Sequence, residues 1–416
     1  EPRRHSGRQR GSVTTTNDNS VAFIAVDSVV GNSSVVGHIG SFRVATVTAD
    51  GTVGAHRMLV DSQKREYSLE CDAFGGTNLA GSKRTNASVS PFAADANASQ
   101  CMFSTLANGK VLVSCGHWDH GIRAVCVEDG RELQIATGHR DLVTCLAVAN
   151  GAGAAKRAWA KSAGADCDDK DTDDNASVLV VSGSRDTTCC VWEASPPSGG
   201  GGWGVKSSKL SFLNGGGLGH RPKRTLFGHD DAVTCVAASS ELDLVVSGGA
   251  NGAVTLHALR AGRHLRFVKT GRGSSVRKGT ESSSSNQGQA LHDSQGGVPS
   301  WVHLTEAKVS SARVLVYCGD ALFLSSHGIN ARCDAPPIAS VTLTERICAL
   351  CVTWDERFLV MGGEKGVVAI RTTHDLFPWA RLDGANCAIT AIAVAKGDGV
   401  VIGGLADGRI AVWAPV

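Results

Sequence analysis

A short apolar run, a tight turn built on Gly with Asp or Asn, and a second apolar run recur along the whole chain. The fullest copy is VVSGSRDTTCCVW (Val180 to Trp192), with Asp186 in the turn; VVSGGANGAVTLH (Val245 to His257) puts Asn251 and His257 at the Asp186 and Trp192 offsets. Copies also begin at Val44, Val111, Leu359 and Val400, with a degraded one at Val314 around Asp320. A leading apolar segment precedes several of them: HRDLVTCLAVA from His139, HDDAVTCVAAS from His229, RICALCVTWD from Arg346 and CAITAIAVAKGD from Cys387. Gly and Asp tolerate the backbone angles that return an antiparallel strand, so each unit reads as a small sheet with two apolar faces. No such sheet buries both faces alone. Units stacked around an axis do, so the expected fold is all-β, a seven-bladed β-propeller whose leading strands line a central channel. Small residues there (Thr144, Cys145, Ala147; Thr234, Cys235, Ala237) suit the crowding near an axis.

The Gly-His and Trp-Asp signatures resemble the WD repeat. That resemblance implies a buried hydrogen-bonded network of His, a strand Ser or Thr, the turn Asp and a strand Trp: here His139, Ser182, Asp186 and Trp192 in the third unit. The fourth keeps His229 and Ser247, with Asn251 and His257 replacing Asp and Trp. Other units keep fragments, Asp119 in the second and Asp407 with Trp413 in the last.

A seven-bladed ring takes roughly 300 residues, and the surplus in a chain of 416 falls into low-complexity stretches. Residues 1–20 read as a disordered lead-in and 21–416 as the propeller, with blades at about 21–60, 100–137, 138–194, 223–262, 299–328, 344–375 and 386–416. Insertions are expected at about 73–99, 150–175, 195–222 and 272–298, where apolar content is too low to order a segment. The last unit lacks a fourth strand, which must come from the first 20 residues or from beyond Val416. Starting at Glu1 without Met, the segment reads as part of a longer chain. A net charge of +2 gives no push toward nucleic acid or a membrane surface, and no apolar run is long enough to span a bilayer. The 14 Cys are scattered, several inside apolar strands (Cys145, Cys235, Cys348, Cys351), which points to free thiols in a reducing cytoplasmic compartment.

The segment SCGHWDHGIRAVCVEDGRELQIATGHRDLVTCLAVA is similar to the second propeller unit of BEACH-domain proteins of the neurobeachin type. IGSFRVATVTADGTVGAHRML, VLVVSGSRDTTCCVW, GHDDAVTCVAASSELDLVVSG and FLVMGGEKGVVAIR resemble other units of that family. The resemblance implies a C-terminal propeller following PH-like and BEACH domains, with a scaffolding role in vesicle traffic, lysosome-related organelle biogenesis or autophagy and no catalysis.

Sites that could carry chemistry are few. Asp169, Asp171 and Asp173 have the D-x-D-x-D look of a calcium loop, but Asp174 stands at the required Gly and Val180 at the bidentate Glu. They read as a solvated acidic loop. Cys348 and Cys351 sit three apart on a strand and point to opposite faces, which disfavours a disulfide or a shared metal and favours core packing. No cofactor, metal or catalytic residue is expected. A hydrolase using the channel would need carboxylates or His on the inner strands, which show Thr, Cys, Ala and Val. Protein or peptide binding fits better, through a rim of turn residues: Trp118 and Arg185, each preceding a turn Asp, with Glu364 in the related slot. A substrate adaptor of a ubiquitin ligase is the alternative role.

Overall fold

In a computed structural model of the chain, the described residues are 6–14, 20–29, 39–61, 66–71, 77–78, 92–93, 99–106, 111–127, 132–149, 178–195, 217–268, 298–308, 311–328, 336–395 and 399–413. They form a seven-bladed β-propeller. Blade one holds Val21–Val29, Ile39–Thr48, Thr52–Asp61 and Glu66–Cys71, and blade two Phe103–Leu106, Val111–Ser114, Ile122–Cys126 and Glu132–Ala136. Blade three has Val143–Ala149, Val178–Ser184 and Cys189–Ser195, with Gly217–Leu218 and Arg224–Leu226 as pieces of an outer strand. Blade four runs Val233–Ser239, Leu244–Gly249, Val254–Ala258 and His264–Val268; blade five Pro299–Lys308, Ser311–Cys318, Ala321–Gly328 and Ala339–Thr342. Blade six is Ile347–Val352, Phe358–Gly363, Val368–Thr372 and Pro378–Asp383. Blade seven takes Ile389–Val394, Val401–Leu405 and Arg409–Trp413 from one end of the chain and Ser6–Thr14 from the other.

That last strand corrects the expected disordered lead-in. Ser6–Thr14 pairs antiparallel with Arg409–Trp413, from Gln9 opposite Trp413 to Thr14 opposite Arg409, and its first residues run parallel to Pro378–Asp383 of blade six. Backbone pairing to an otherwise open edge holds it, so an apolar pattern is not required. Most outer strands were likewise absent from the expected boundaries. Glu66–Cys71, His264–Val268, Ala339–Thr342 and Pro378–Asp383 all lie beyond the blade ends read from sequence. Within the stretch expected as loop over 73–99, Thr77–Asn78 pairs with blade one and Phe92 is buried beside Phe103. The stretch 195–222 supplies Gly217–Leu218 to blade three. The acidic run of Asp169, Asp171 and Asp173 lies outside the described residues, as does 272–298 except Val298.

The core is a set of layers between neighbouring blades. Val21, Val44 and Met58 of blade one meet Ala391, Ile402 and Val412 of blade seven; Cys145, Val181 and Val191 of blade three meet Val233 and Val245 of blade four. Each fully buried aliphatic side chain is worth about 1.5–3 kcal/mol, which explains why both faces of the middle strands are apolar.

A joint recurs where the blades meet near the axis. Six inner strands carry a bulge, at Ala22, Thr144, Thr234, Ser300, Cys348 and Thr390. A bulge re-aims one side chain. Thr144 Oγ1 lies 3.0 Å from the Gly183 carbonyl of its own blade and 2.5 Å from the Val233 carbonyl of the next. Thr234 does the same with Gly248 and Pro299 at 3.1 and 2.5 Å, and Thr390 with Gly404 and Val21 at 3.2 and 2.5 Å. The glycine is required by the close approach, since a Cβ on Gly183 would lie 2.5 Å from Val233 Cγ1 and one on Gly404 2.5 Å from Val21 Cγ1. In blade six, Cys348 takes the threonine position and is exposed, so this thiol is not packed in the core as its strand pattern implied.

Candidate interaction face

One face of the ring carries the turns between the second and third strands of each blade. Backbone bonds tie these turns to the entry of the inner strand: Arg185 N to Leu142 O at 2.9 Å, Ala250 N to Ala232 O at 2.7 Å, Glu364 N to Arg346 O at 3.0 Å and Ala406 N to Ala388 O at 2.9 Å. The tips are therefore held on the same side as the segments leading into His139, His229 and Arg346.

In blade three a side-chain network fixes the tip. His139 Nδ1 is 2.9 Å from Asp186 Oδ2 and His139 Nε2 is 2.7 Å from Ser182 Oγ. A carboxylate only accepts, so Nδ1 carries the proton, Nε2 accepts from the Ser182 hydroxyl, and Ser182 Oγ in turn accepts from Trp192 Nε1–H at 2.8 Å. Thr188 N and Oγ1 donate to Asp186 Oδ1 at 3.0 and 2.6 Å, and Arg140 N donates to Oδ2 at 2.9 Å. Burial alone would raise the Asp186 pKa, but bonds from Thr188, Arg140 and His139 bring it down to about 2. Burial lowers the His139 pKa against the pull of Asp186, which keeps the ring neutral. The Ser–His–Asp connectivity is that of a hydrolytic triad, yet Ser182 and Trp192 are both 0% exposed and the serine oxygen is already engaged. A substrate cannot reach it; the network positions the turn.

Blade four keeps half of this. His229 Nε2 is 2.8 Å from Ser247 Oγ and 3.0 Å from Thr255 Oγ1, and these hydroxyls are 2.8 Å apart. Asn251 Oδ1 accepts from Ala253 N at 3.0 Å, leaving the buried His229 Nδ1 without a hydrogen-bond partner among the described residues. His257, in the tryptophan position, donates from Nε2 to Phe227 O at 2.8 Å, and its Nδ1 is also unpartnered. Burial, reinforced by His257, pulls the His229 pKa down to about 4.

The remaining residues expected in such networks bond to other groups, although Asp119 lies near enough to His117 for the imidazole to help lower its pKa. Asp119 accepts from Gly121 N at 3.1 Å and pairs with Arg123 at 2.8 Å. Asp407 accepts from Arg409 N at 3.1 Å and pairs with its guanidinium. Trp413 Nε1 donates to Asp383 O of blade six at 3.3 Å, because Gly403 stands where blade three has Ser182 and its open space takes the indole ring. Sequence reasoning also missed the blade-two arrangement, in which Ser114 Oγ lies 2.9 Å from His117 Nε2 and Phe92 stacks on that His at 5.5 Å. The signal was Ser114 three residues before His117, inside the turn itself.

On the rim, Trp118 is 58% exposed, and Arg185 and Glu364 are exposed at the matching tips of blades three and six. Among the described residues no helix is long and apolar enough to cross a membrane, and no group of three or more His, Cys, Asp or Glu is placed to hold a metal ion.

Residues 171–295 match the family described as "Neurobeachin beta propeller domain". The chain is a WD-type propeller resembling those of BEACH-domain proteins. It is 28% identical over 308 residues to BEACH domain-containing protein B of Arabidopsis thaliana, covering 73% of this chain and 9% of that protein. It is 25% identical over 316 residues to a putative neurobeachin homolog of Caenorhabditis elegans (76% and 10%) and 23% identical over 320 residues to BEACH domain-containing protein lvsE of Dictyostelium discoideum (74% and 11%). The matched part of the propeller thus spans about a tenth of the length of these relatives.

Proposed function

We propose that this propeller is a protein-interaction scaffold, the WD-repeat part of a BEACH-type protein acting in vesicle traffic, lysosome-related organelle biogenesis or autophagy. The carrying observation is a rim whose exposed side chains stand on internally fixed turns: Asp186 is bonded to His139, Thr188 and Arg140 while the adjacent Arg185 points outward, exposed. Such preorganisation lowers the entropy lost when a partner docks. The likeness to neurobeachin-type propellers supports the trafficking context. In this reading Trp118, Arg185 and Glu364 contact a protein or peptide, BEACH and PH-like domains precede the ring in the same polypeptide, and the protein works in the cytoplasm, reaching membranes through those other domains.

Proximity labelling with the full-length protein tests it, alongside a triple Trp118→Ala, Arg185→Ala, Glu364→Ala variant. Membrane-traffic proteins lost from the labelled set in the variant are the expected result. Ubiquitin-ligase subunits in their place, or a labelled set unchanged by the variant, would overturn the proposal.

A further inference from the structure

The inner strands enclose a channel cavity of about 810 Å³. Relative to the bulge, the third following residue is Ala147, Ala237, Cys351 and Ala393 in blades three, four, six and seven, but His303 in blade five. The first following residue is Cys145, Cys235, Ala349 and Ala391 in those blades, but Trp301 in blade five; in blade one the two positions are Ala25 and Phe23. This is a departure from the small and apolar inner strands read from sequence. Both rings line the cavity, stacked parallel at 8° with centroids 5.6 Å apart. Aromatic pairs of this kind present a flat apolar surface with polar edges.

Packing does not explain the imidazole. Burial alone shifts its pKa, down to about 4, so the ring is neutral at pH 7 and offers one donor and one acceptor nitrogen. Among the described residues it has no hydrogen-bond or charged partner. The ring is half-buried at the channel wall, so its nitrogens are open to a ligand that supplies the missing bonds.

The channel already shows which chemistry its walls accept. The carboxamide of Gln100, also on the cavity wall, bonds the free inner edge of blade seven: Nε2 donates to Ile392 O at 2.9 Å, and Oε1 accepts from Ile392 N at 3.3 Å. An inner strand has no neighbour on its channel side, so its edge amides suit a group with adjacent donor and acceptor. A carboxylate lacks the donor, and among the described residues no charged group acts on His303, although Arg346 also lines the cavity.

We propose that the channel beside Trp301 and His303 is a binding site for a small, uncharged, planar ligand carrying a carboxamide edge. The flat body lies along the Trp301–His303 rings and the amide bonds the His303 nitrogen and an inner-strand edge.

The test is a benzamide titration of the full chain followed by the NMR signals of the histidine rings, with benzoate and cyclohexanecarboxamide as comparisons. His303 is assigned by His303→Ala, which installs the residue that four other inner strands carry at this register. Benzamide should move the His303 signal saturably, with at least tenfold weaker binding of benzoate and of the non-planar amide. Trp301→Phe, which keeps a ring, should weaken benzamide a few-fold, and binding should vanish in His303→Ala while its urea midpoint shows the fold retained. An unmoved His303 signal, equal binding of benzoate, or undiminished binding in either His303→Ala or a still milder His303→Gln would overturn the proposal.

Discussion

Blades three and four are adjacent copies of one unit, and they solve the same turn differently. Blade three closes it with Asp186, whose carboxylate serves His139, Thr188 and the Arg140 amide at once, and backs it with Trp192. Blade four has an amide, Asn251, which caps its own turn and leaves His229 Nδ1 unserved, with the smaller His257 behind it. The fold survives both. What changes is how much of the turn's order is carried by polar bonds and how much by the apolar layers on either side.

The largest expected difference lies in the backing residue. Trp192→Ala removes a fully buried indole and should cost about 3–5 kcal/mol, whereas His257→Ala, which also frees the ring's unpartnered nitrogen, should cost about 1–2 kcal/mol. Urea unfolding of the two variants reads this directly, and equal losses would erase the distinction between the blades.

Acidity separates them next. His229 is held near 4 in the folded chain against an ordinary 6.5, so between these values the unfolded chain binds more protons. The stability linked to this group is complete above about pH 6.5 and is lost as pH falls toward about 4. Asn251→Asp gives His229 Nδ1 the acceptor that His139 has, so it should raise the His229 pKa, add about 1 kcal/mol at neutral pH and shrink the acid loss. NMR titration with unfolding at pH 7.5 and 5 tests this, and an unmoved His229 would sink it.

A smaller effect of opposite sign belongs to the turn backbone. Thr187 has φ 68° where blade four has Gly252 at 85°, a region that favours glycine. Thr187→Gly should stabilise blade three and Gly252→Ala destabilise blade four, each by about 1 kcal/mol, visible as opposite shifts in thermal midpoint. The smallest stability change is expected from Trp118→Ala, within about 0.5 kcal/mol for an exposed side chain. Its effect should fall on partner capture, and a large unfolding shift would mean that the residue is structural.

The difference between the blades was legible in the sequence because Asp186 and Trp192 stand six apart in one strand pair, as Asn251 and His257 do in the next blade, and a Gly-His precedes each leading strand. The inner and middle strands were legible too, since both faces are apolar. The outer strands were not: Pro378–Asp383 alternates exposed and half-buried residues, and Ala339–Thr342 does the same over four positions. They are recruited by backbone pairing to a neighbour, which leaves no hydrophobic trace. Trp413 misled for a related reason. Its spacing from Asp407 matches blade three, but spacing cannot report that Gly403 has removed the hydroxyl between them. Nor does a local pattern reveal Trp301 and His303 as partners, because only the bulge register shows that four other blades put Ala or Cys at the His303 position and one puts Ala there beside a Phe.

The composite seventh blade has a consequence for synthesis. Ser6–Thr14 is synthesised well before the strand it pairs with, Arg409–Trp413. Until the intervening blades have been made, the nascent chain must carry an unsatisfied strand edge, and such edges invite aggregation or capture by chaperones. A lesion in Ser6–Thr14 should therefore be felt far along the chain at Arg409–Trp413, as a circle left unlatched.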